Sequence, residues 1–418
     1  METTTRLLPL KHARDIARRR GALDPDVLIR ATEIVSDVRR DGEPAVRRYA
    51  QRFDGVAPDA PLLLGPEPLQ RALAGLDAET RGVLDRTAER VMTFARAQRA
   101  TTTDLDTSIT GGRAGHTLVP IEAAGCYAPA GRYPLPSSVL MTAVTARAAG
   151  CERVVVASPS TDPLMLAAAG VSGADAYLPL GGAHAVAALA YGFAGFDPVD
   201  IIAGPGNAWV TAAKHAVSAD VAIDMLAGPS ELLVIADESA DPELIAADLL
   251  AQAEHDPDAS AMLVTTDRSM PDAVEAALDR QLRALPTRDT ALLALANGFT
   301  CVVGSLDEAR DAADTIAAEH VEVLVRDAEA FAAGMRHGGA VFLGPHSAEV
   351  FGDYGAGPNH TLPTGGTARS SAGLSVLTFL RARTWLSLED PGALAPDATA
   401  MARLEGLEAH ARAAERRA

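Results

Sequence analysis

The spacing of hydrophobic residues predicts helices in the first part of the chain. Val27, Ala31, Ile34 and Val38 recur at intervals of four, three and four residues, which places them on one face of a helix. Thr80–Ala100 continues the same charge-rich pattern. We therefore predict that this part of the chain is mostly helical.

From Leu118 onward, short β-branched runs alternate with alanine-rich stretches of helical length. The predicted strands and the helices that follow them are Val154–Ala157 and 163–170, Ala176–Pro179 and 183–193, and Val199–Ala203 and 207–217. This alternation predicts a parallel sheet with helices on both faces. The preceding stretch, Thr101–Gly115, is polar and glycine-rich, so we predict a loop there.

A second series of strands follows, so we predict two α/β units joined near Asp224–Pro229. The strands of this series are predicted at Glu231–Ala236, Met262–Thr266, Phe299–Val303, Val321–Val325 and Val341–Leu343, with helices between them. The tail from Leu374 is predicted to be helical, with a break at Pro391–Pro396 before the last helix.

The composition is that of a globular protein, and its charge excludes two kinds of partner. Of the 418 residues, 48% are hydrophobic and 22% are charged, and this length exceeds what one compact core needs. The formal net charge of −18 argues against nucleic acid and anionic membrane surfaces, since both would repel the chain. Ala176–Phe196 is uncharged, but its proline and glycines favour a strand, a turn and a buried helix over a membrane span.

The cysteines and the N-terminus favour a cytoplasmic protein. Cys126, Cys151 and Cys301 cannot form a disulfide framework and are typical of core thiols in a reducing compartment. Met1–Arg20 carries charges throughout and has no apolar run of the kind that a secretory signal needs.

The most informative segment is Gln252–His255, whose two outer residues are both possible metal ligands. If Leu244–Ala253 is helical, these two side chains project from the same face at its end. Such a pair is usually polar surface, but acidic and histidine residues recur together later, at Glu319-His320, Asp353 with His360, and Glu405 with His410. A catalytic metal needs ligands from distant segments, so these positions are candidates for one site. Glu319-His320 also suits successive proton transfers, although such a dipeptide is more often solvated.

Two glycine- and proline-rich turns are candidates for ligand binding. Gly125–Met141 is predicted to be an irregular loop, in which Ser137 and Ser138 cap the following helix. Ile201–Lys214 is predicted to be a strand, a Gly-Pro-Gly-Asn turn and a helix, whose free N–H groups would attract an anionic cofactor group. Both turns fit a purely structural role as well, and no Gly-x-Gly-x-x-Gly fingerprint occurs in the sequence.

Taken together, these segments resemble the histidinol dehydrogenase family. The resemblance runs in order from about Val35 to Arg412, and its segments are GPGN with AK (204–214), AGPSE (227–231), QAEH (252–255), GDY, GPNH and LPT (352–364), and EGL with AH (405–410). The resemblance implies a zinc- and NAD-dependent oxidoreductase of the α/β class. It also implies two incomplete Rossmann-like units with parallel sheets flanked by helices, helical terminal segments, and a domain-swapped homodimer.

The domain division that we predict has four parts. They are a helical arm over 1–24, a first α/β domain over 25–117 and 230–373 with the zinc and acid–base residues, an inserted α/β domain over 118–229 on the cofactor side, and a C-terminal helical segment over 374–418 that reaches the partner subunit.

The resemblance assigns roles to individual residues. It implies that the zinc ligands are Gln252, His255, Asp353 and His410, and that the acid–base pair is Glu319 and His320. The residues that it implies contact the substrate are Ser230, Gln252, His255, His320, Asp353, His360, Glu405 and His410. The implied cofactor contacts are Tyr127, His184 and Asn207. Glu405 and His410 are expected to act in the active site of the partner subunit.

The implied reaction oxidises an amino alcohol to an amino acid in two hydride steps, with L-histidinol as the expected substrate. Zinc binds the amino and hydroxyl groups and lowers the pKa of the alcohol. His320 takes the alcohol proton as the first hydride leaves for NAD, and Glu319 activates a water that attacks the bound aldehyde. A second NAD accepts the second hydride.

Several departures from the family pattern leave other functions open. His184 stands where the family usually has Gln, the Arg132-Tyr133 loop is unusual, and Ala317-Ala318 replaces Ala-Pro before Glu319. A family paralogue that oxidises a sulfonated diol or another amino alcohol is therefore the alternative, with Arg132 available for an anionic substrate. A metal-dependent hydrolase that does not use NAD and a non-catalytic binding protein are the alternatives from other classes.

Overall fold

The computed structural model describes residues 6–18, 23–130 and 134–418, so Arg132 and Tyr133 lie outside the described residues. The α-helices are α1 (Pro25–Asp41), α2 (Glu43–Tyr49), α3 (Pro66–Ala74), α4 (Ala78–Ala100), α5 (Pro136–Ala149), α6 (Pro163–Val171), α7 (Gly182–Tyr191), α8 (Ala208–Val217), α9 (Pro242–Ala253), α10 (Met270–Leu282), α11 (Arg288–Ala296), α12 (Leu306–Ile316), α13 (Ala328–Ala333), α14 (Glu349–Asp353), α15 (Ala395–Leu404) and α16 (Glu408–Glu415). Several begin with proline in the first turn, where no backbone N–H is needed for the helix.

The strands form three sheets. They are β1 (Leu105–Ile109), β2 (Gly112–Pro120), β3 (Ala123–Tyr127), β4 (Arg153–Ala157), β5 (Ala176–Leu178), β6 (Ile201–Ala203), β7 (Ala222–Ile223), β8 (Glu231–Ala236), β9 (Ser260–Thr265), β10 (Phe299–Val302), β11 (His320–Leu324), β12 (Ala340–Leu343) and β13 (Leu380–Leu388). The order β5-β4-β3-β6-β7 defines the first parallel sheet and β10-β9-β8-β11-β12 the second parallel sheet. Strands β1, β2 and β13 form a three-stranded antiparallel sheet.

The two parallel sheets confirm the predicted α/β fold with helices on the sheet faces. Their central strands are buried along their whole length, as in β8 and β9, because helices cover both faces. The β-branched and leucine-rich sequences of these strands suit such double burial. The predicted joint near Asp224–Pro229 lies between the last strand of the first parallel sheet and β8, the first strand of the second.

The prediction of an irregular loop over Gly125–Met141 was wrong at both ends. Gly125 lies inside β3, which is buried at the centre of the first parallel sheet, and α5 already begins at Pro136. Ser137 and Ser138 lie inside α5 and do not cap it, and no side chain of the described residues does so. The small residues of β3 concealed a strand, since glycine and alanine have low β-propensity.

The antiparallel sheet corrects two further predictions. Thr101–Gly115 contains β1 and the start of β2, although a loop was predicted. The tail from Leu374 contains β13, although a helix was predicted, and Leu380 pairs with Pro120 while Leu388 pairs with Gly112. The predicted break at Pro391–Pro396 precedes α15, which begins at Ala395, but two helices follow it where one was predicted.

Helices α1 to α4 pack against the helices that cover the first parallel sheet. Ile34 and Val38 of α1 share a core cluster with Val155 of β4, and Val91 of α4 shares another with Val154. The predicted grouping of 25–117 with 230–373 stays a prediction about domains. The N-terminal arm was predicted to be helical, but over 6–18 it contains only the short 3₁₀ turn Ala13–Asp15, and Leu10 pairs with Thr300 at the edge of the second parallel sheet.

Among the described residues, no helix is both long enough and apolar enough to cross a bilayer.

Candidate active site

The predicted acid–base pair lies at the amino end of β11, where both side chains are buried. Glu319 precedes the strand and His320 opens it, with side-chain exposures of 7% and 5%. The backbone N–H of Glu231 donates to Glu319 Oε2 over 3.0 Å. Burial raises the pKa of Glu319 well above its ordinary value, while this N–H and the Ser230 hydroxyl act in the opposite direction.

His320 has one ring nitrogen engaged and the other open. Its Nδ1 lies 3.3 Å from the carbonyl oxygen of Glu231 and 3.2 Å from Glu349 Oε1. Its Nε2 is buried without a hydrogen-bond partner among the described residues, 4.0 Å from Asp353 Oδ1. Burial, assisted by the nearby His360, lowers the pKa of His320 to about 3. The surroundings therefore favour a neutral imidazole that donates through Nδ1 and can accept a proton at Nε2.

Three side chains converge as a metal site would require. One ligand atom each of His255, Glu349 and Asp353 lies within 4.8 Å of the other two. His255 Nε2 is 3.6 Å from Asp353 Oδ2. Burial raises the pKa of Asp353 to about 6, against the lowering effect of His255. The carboxylates and the imidazole supply the oxygen and nitrogen donors that zinc accepts.

Gln252 gives an independent sign of a missing partner at this site. It lies in the last turn of α9, three residues before His255, and it is fully buried. Neither its amide nitrogen nor its amide oxygen has a hydrogen-bond partner among the described residues. An unsatisfied buried amide is costly, so a ligand for the amide oxygen fits this position. The residues therefore fit a divalent metal ion.

Glu349 was missed by the sequence analysis. It stands four residues before Asp353 on α14, a spacing that places both carboxylates on one helix face. Its side chain is buried, and burial, with repulsion from Asp353 and other acids, raises its pKa well above the ordinary value. The i, i+4 carboxylate pair was a signal that could have identified Glu349.

His360 and Asn359 lie in the loop that follows α14. His360 Nδ1 is 3.1 Å from the carbonyl oxygen of Asp353, and burial lowers the pKa of His360 to about 4. Asn359 donates from Nδ2 to the carbonyl oxygen of Met141 over 2.8 Å. This bond anchors the loop on α5, so Asn359 holds His360 in place and is itself engaged with the protein.

Glu405 and His410 are not brought to this cluster within one chain. Glu405 follows α15 and His410 lies on α16, and both are exposed. The two helices pack against each other. The predicted set of four zinc ligands is therefore represented in one chain by Gln252, His255 and Asp353.

The three predicted cofactor residues lie at the carboxyl edge of the first parallel sheet. Tyr127 ends β3, and its hydroxyl accepts a hydrogen bond from the N–H of Gly182 over 3.1 Å. Burial raises the pKa of Tyr127 to about 12. His184, on the first turn of α7, is also buried, and its Nε2 lies 2.6 Å from Asp54 Oδ2. His184 therefore has a protein partner that the sequence analysis did not foresee.

The Gly-Pro-Gly-Asn corner has the predicted strand, turn and helix, but two N–H groups at the start of α8 are not free. Asn207 is the N-cap of α8, and its Oδ1 accepts from the N–H groups of Trp209 and Val210 over 3.1 and 3.2 Å. A side chain thus takes the place that an anionic group was expected to take. Asn207 itself is exposed at the sheet edge.

The fold and site define a class of protein: an α/β protein with two parallel sheets and an acid–histidine cluster suited to a divalent metal, in which the acids are largely buried and His255 is exposed. A family model described as "Histidinol dehydrogenase" matches residues 17–418. A histidinol dehydrogenase of Mesorhizobium japonicum is 44% identical over 403 residues, covering 94% of this chain and 93% of the relative. One from Moorella thermoacetica is 43% identical, covering 98% and 100% of the two chains. The crystal structure of histidinol dehydrogenase from Elizabethkingia anophelis superposes with a TM-score of 0.92 at 31% identity, covering 99% of this chain and 98% of that one.

The chain belongs to the histidinol dehydrogenase family, and it is an oxidoreductase. The resemblance inferred from the sequence is thus confirmed at the level of the family.

Proposed function

We propose that this protein oxidises L-histidinol to L-histidine, with zinc and NAD. The observation that carries the proposal is the convergence of His255, Glu349 and Asp353 next to the buried His320 of the Glu319-His320 pair. Gln252, three residues before His255, adds support, because its buried amide has no hydrogen-bond partner among the described residues. A divalent metal beside a proton-transfer pair is what an alcohol oxidation requires. Membership of the family supports the choice of substrate.

Gln252, His255 and Asp353 would hold the zinc ion, with His410 of a second copy as the fourth ligand. A bound zinc ion would act as a Lewis acid on the hydroxyl group of the substrate. Support comes from the donor atoms of His255, Glu349 and Asp353, one imidazole nitrogen and two carboxylate oxygens that lie within 4.8 Å of one another. Glu349 lies in the same cluster, and we expect it to orient His320, whose Nδ1 is 3.2 Å from Glu349 Oε1.

The protein side chains would divide the proton transfers between them. His320 accepts the alcohol proton at Nε2, the ring nitrogen that has no protein partner among the described residues. Glu319, which the N–H of Glu231 holds in place, accepts a proton from the water that adds to the aldehyde. Ser230, His360 and Glu405 would contact the substrate, and the partial burial of the first two limits the access of bulk water to this region.

NAD would accept the two electrons of each oxidation step. Tyr127, His184 and Asn207 are the proposed contacts, and their common position at the carboxyl edge of a parallel sheet supports this. The first N–H groups of α7 and α8 already bond to protein side chains. We therefore expect the cofactor to be held without a tight pyrophosphate loop, which suits its exchange between the two steps.

We also propose a homodimer in which Glu405 and His410 complete the site of the partner subunit. Their exposure, and their separation from the cluster in one chain, support this arrangement.

An assay of NADH formation tests the proposal. Zinc-loaded protein is expected to form two NADH for each L-histidine released, and a chelator should abolish turnover until zinc is restored. His255→Gln should be inactive, whereas the exposed His215→Gln should match the unsubstituted protein. Turnover of a sulfonated diol or another amino alcohol, with none of L-histidinol, would replace the proposed substrate by that of a paralogue.

A further inference from the structure

A buried ion pair lies directly behind the Gly-Pro-Gly-Asn turn. Lys214 of α8 and Asp224, just after β7, form this pair, with side-chain exposures of 3% and 0%. Lys214 stands seven residues after Asn207, which is two helical turns along the same face. Burying two charges costs several kcal/mol, and an apolar pair in the same place is often as stable. The pair is therefore better explained by what it holds than by stability alone.

The ion pair holds both polar groups of one residue, Gly204. Lys214 Nζ donates to the carbonyl oxygen of Gly204 over 2.9 Å, and the N–H of Gly204 donates to Asp224 Oδ2 over 2.7 Å. Asp224 Oδ1 also accepts from the N–H of Met225 over 2.6 Å, so the carboxylate is itself fixed. Together these bonds close a ring that joins the end of β6, the end of β7 and the helix α8.

Gly204 in turn lies against the backbone of Tyr127. Its φ of +126° is open to glycine and strained for other residues, and a Cβ at this position would come within 2.0 Å of the carbonyl oxygen of Tyr127. The three-residue step from Gly204 to Asn207 completes the turn. A displacement of Gly204 would therefore move Tyr127, on the neighbouring strand β3, and Asn207, at the end of the turn.

We propose that Lys214 and Asp224 are positioning residues for the dinucleotide cofactor, which they do not touch themselves. The pair fixes Gly204, and Gly204 fixes the separation of Tyr127 and Asn207 at the sheet edge. This inference rests on the proposed function, because that proposal places the cofactor at these two residues. It predicts that loss of the pair weakens the cofactor site and leaves the metal and substrate site intact.

The test separates cofactor binding from substrate binding. Lys214→Met is expected to raise the KM for NAD, and the NAD dissociation constant from calorimetry, by about 10- to 100-fold. The KM for L-histidinol should stay within about twofold, since the ion pair touches no residue of the metal cluster. Lys214→Arg, which keeps the charge, should recover part of the NAD affinity. His215→Gln, exposed on the same helix, is the matched control.

Other outcomes have defined meanings. A folded Lys214→Met protein with unchanged NAD affinity would overturn the inference, and so would an equal loss of NAD and substrate affinity with a lower thermal midpoint. If Lys214→Met does not fold, the isosteric Asp224→Asn variant decides by the same two affinities. Unsubstituted protein that binds NAD without oxidising L-histidinol would contradict the proposed substrate and leave this calorimetric test in force.

Discussion

Glu319 and His320 are neighbours in sequence, and burial acts on them with opposite signs. It raises the pKa of the carboxyl and lowers the pKa of the imidazole, so burial makes Glu319 a stronger proton acceptor when it is ionised and disfavours the charged form of His320. They also have different partners, the Glu231 N–H for Glu319 and the Glu231 carbonyl oxygen for His320. Two residues with separate anchors can serve separate steps of one reaction.

This separation predicts an asymmetric effect of Glu319→Gln. The oxidation of the aldehyde to the acid should slow by about 10²- to 10⁴-fold, because a general base for water is lost. The oxidation of the alcohol should slow by less than about tenfold, since His320 remains. Single-turnover NADH formation with L-histidinol and with the aldehyde as separate substrates measures the two steps. Glu329→Gln, an exposed change, is the control, and equal losses in both steps would contradict the assigned role.

Gln252 allows a prediction in which metal affinity falls and the stability of the metal-free protein does not. Gln252→Met removes the proposed oxygen ligand and should lower zinc affinity by about 10- to 100-fold. The thermal midpoint of the metal-free protein should not fall, because the variant also removes a buried amide that has no hydrogen-bond partner within the described part of the chain. Chelator competition and thermal unfolding measure these two quantities. Gln51→Met, on an exposed residue, should change neither, and a metal-free variant that is much less stable would argue for a structural role of Gln252.

At the scale of elements, the buried side chain of Glu322 connects β11 to α14. Glu322 Oε1 accepts from the N–H of Glu349 over 2.7 Å, at the start of the helix that carries Asp353. Burial, together with repulsion from Asp248, raises the pKa of Glu322 to about 9. The strand therefore positions the short helix α14 through a carboxyl group that retains its proton at neutral pH.

The raised pKa of Glu322 predicts how the stability of the folded protein depends on pH. The folded protein keeps the Glu322 proton up to about pH 9, whereas the unfolded chain releases it near the ordinary glutamate pKa of 4.5. The contribution of Glu322 to stability is thus fully present below pH 4.5 and should fall between these limits, by about 1.4 kcal/mol for each pH unit. Glu322→Gln removes this dependence, so its thermal midpoint relative to the unsubstituted protein should rise from about pH 5.5 to about pH 8.5. The exposed Asp289→Asn variant should give no such trend, and a trend of the opposite sign would refute the assignment.

The elements also show which parts of the fold the sequence can predict. The buried strands of the parallel sheets have local apolar patterns, and they were predicted nearly to the residue, as with β8. The antiparallel sheet was missed because β1 is exposed along its whole length and carries no apolar alternation. Strand β13 pairs with β2, which lies far earlier in the chain, and such a partner is not visible in local sequence. Glu349 was missed although Asp353 stands four residues later, because its other neighbours in the site, His255 and His320, come from distant segments.

At the scale of the whole molecule, the C-terminal segment has apolar surface that the rest of one chain does not cover. Leu386, Met401 and Leu404 are 63%, 58% and 84% exposed. These side chains lie on β13 and α15, close in sequence to Glu405 and His410. A second copy of the chain that covered them would gain hydrophobic free energy and, in the same contact, receive Glu405 and His410, the two residues proposed to complete its site.

Mixing two inactive variants tests this arrangement. His255→Gln disables the site of its own chain, and His410→Gln disables the ligand that its chain would donate. In a mixed dimer, one site then combines an intact His255 with the partner's intact tail. Random reassociation of equal amounts should therefore restore about one quarter of the activity, since half of the dimers are mixed and each has one complete site.

The alternative, in which each chain completes its own site, makes a different prediction. Every site in the mixture would then contain one substitution, and activity would stay at the level of the separate variants. A mixture of His255→Gln with Gln252→Met serves as the control, because both changes lie in the same part of the site and cannot complement each other. Recovery in the first mixture and none in the second would require that His410 crosses between subunits, whereas no recovery in either would exclude the shared site.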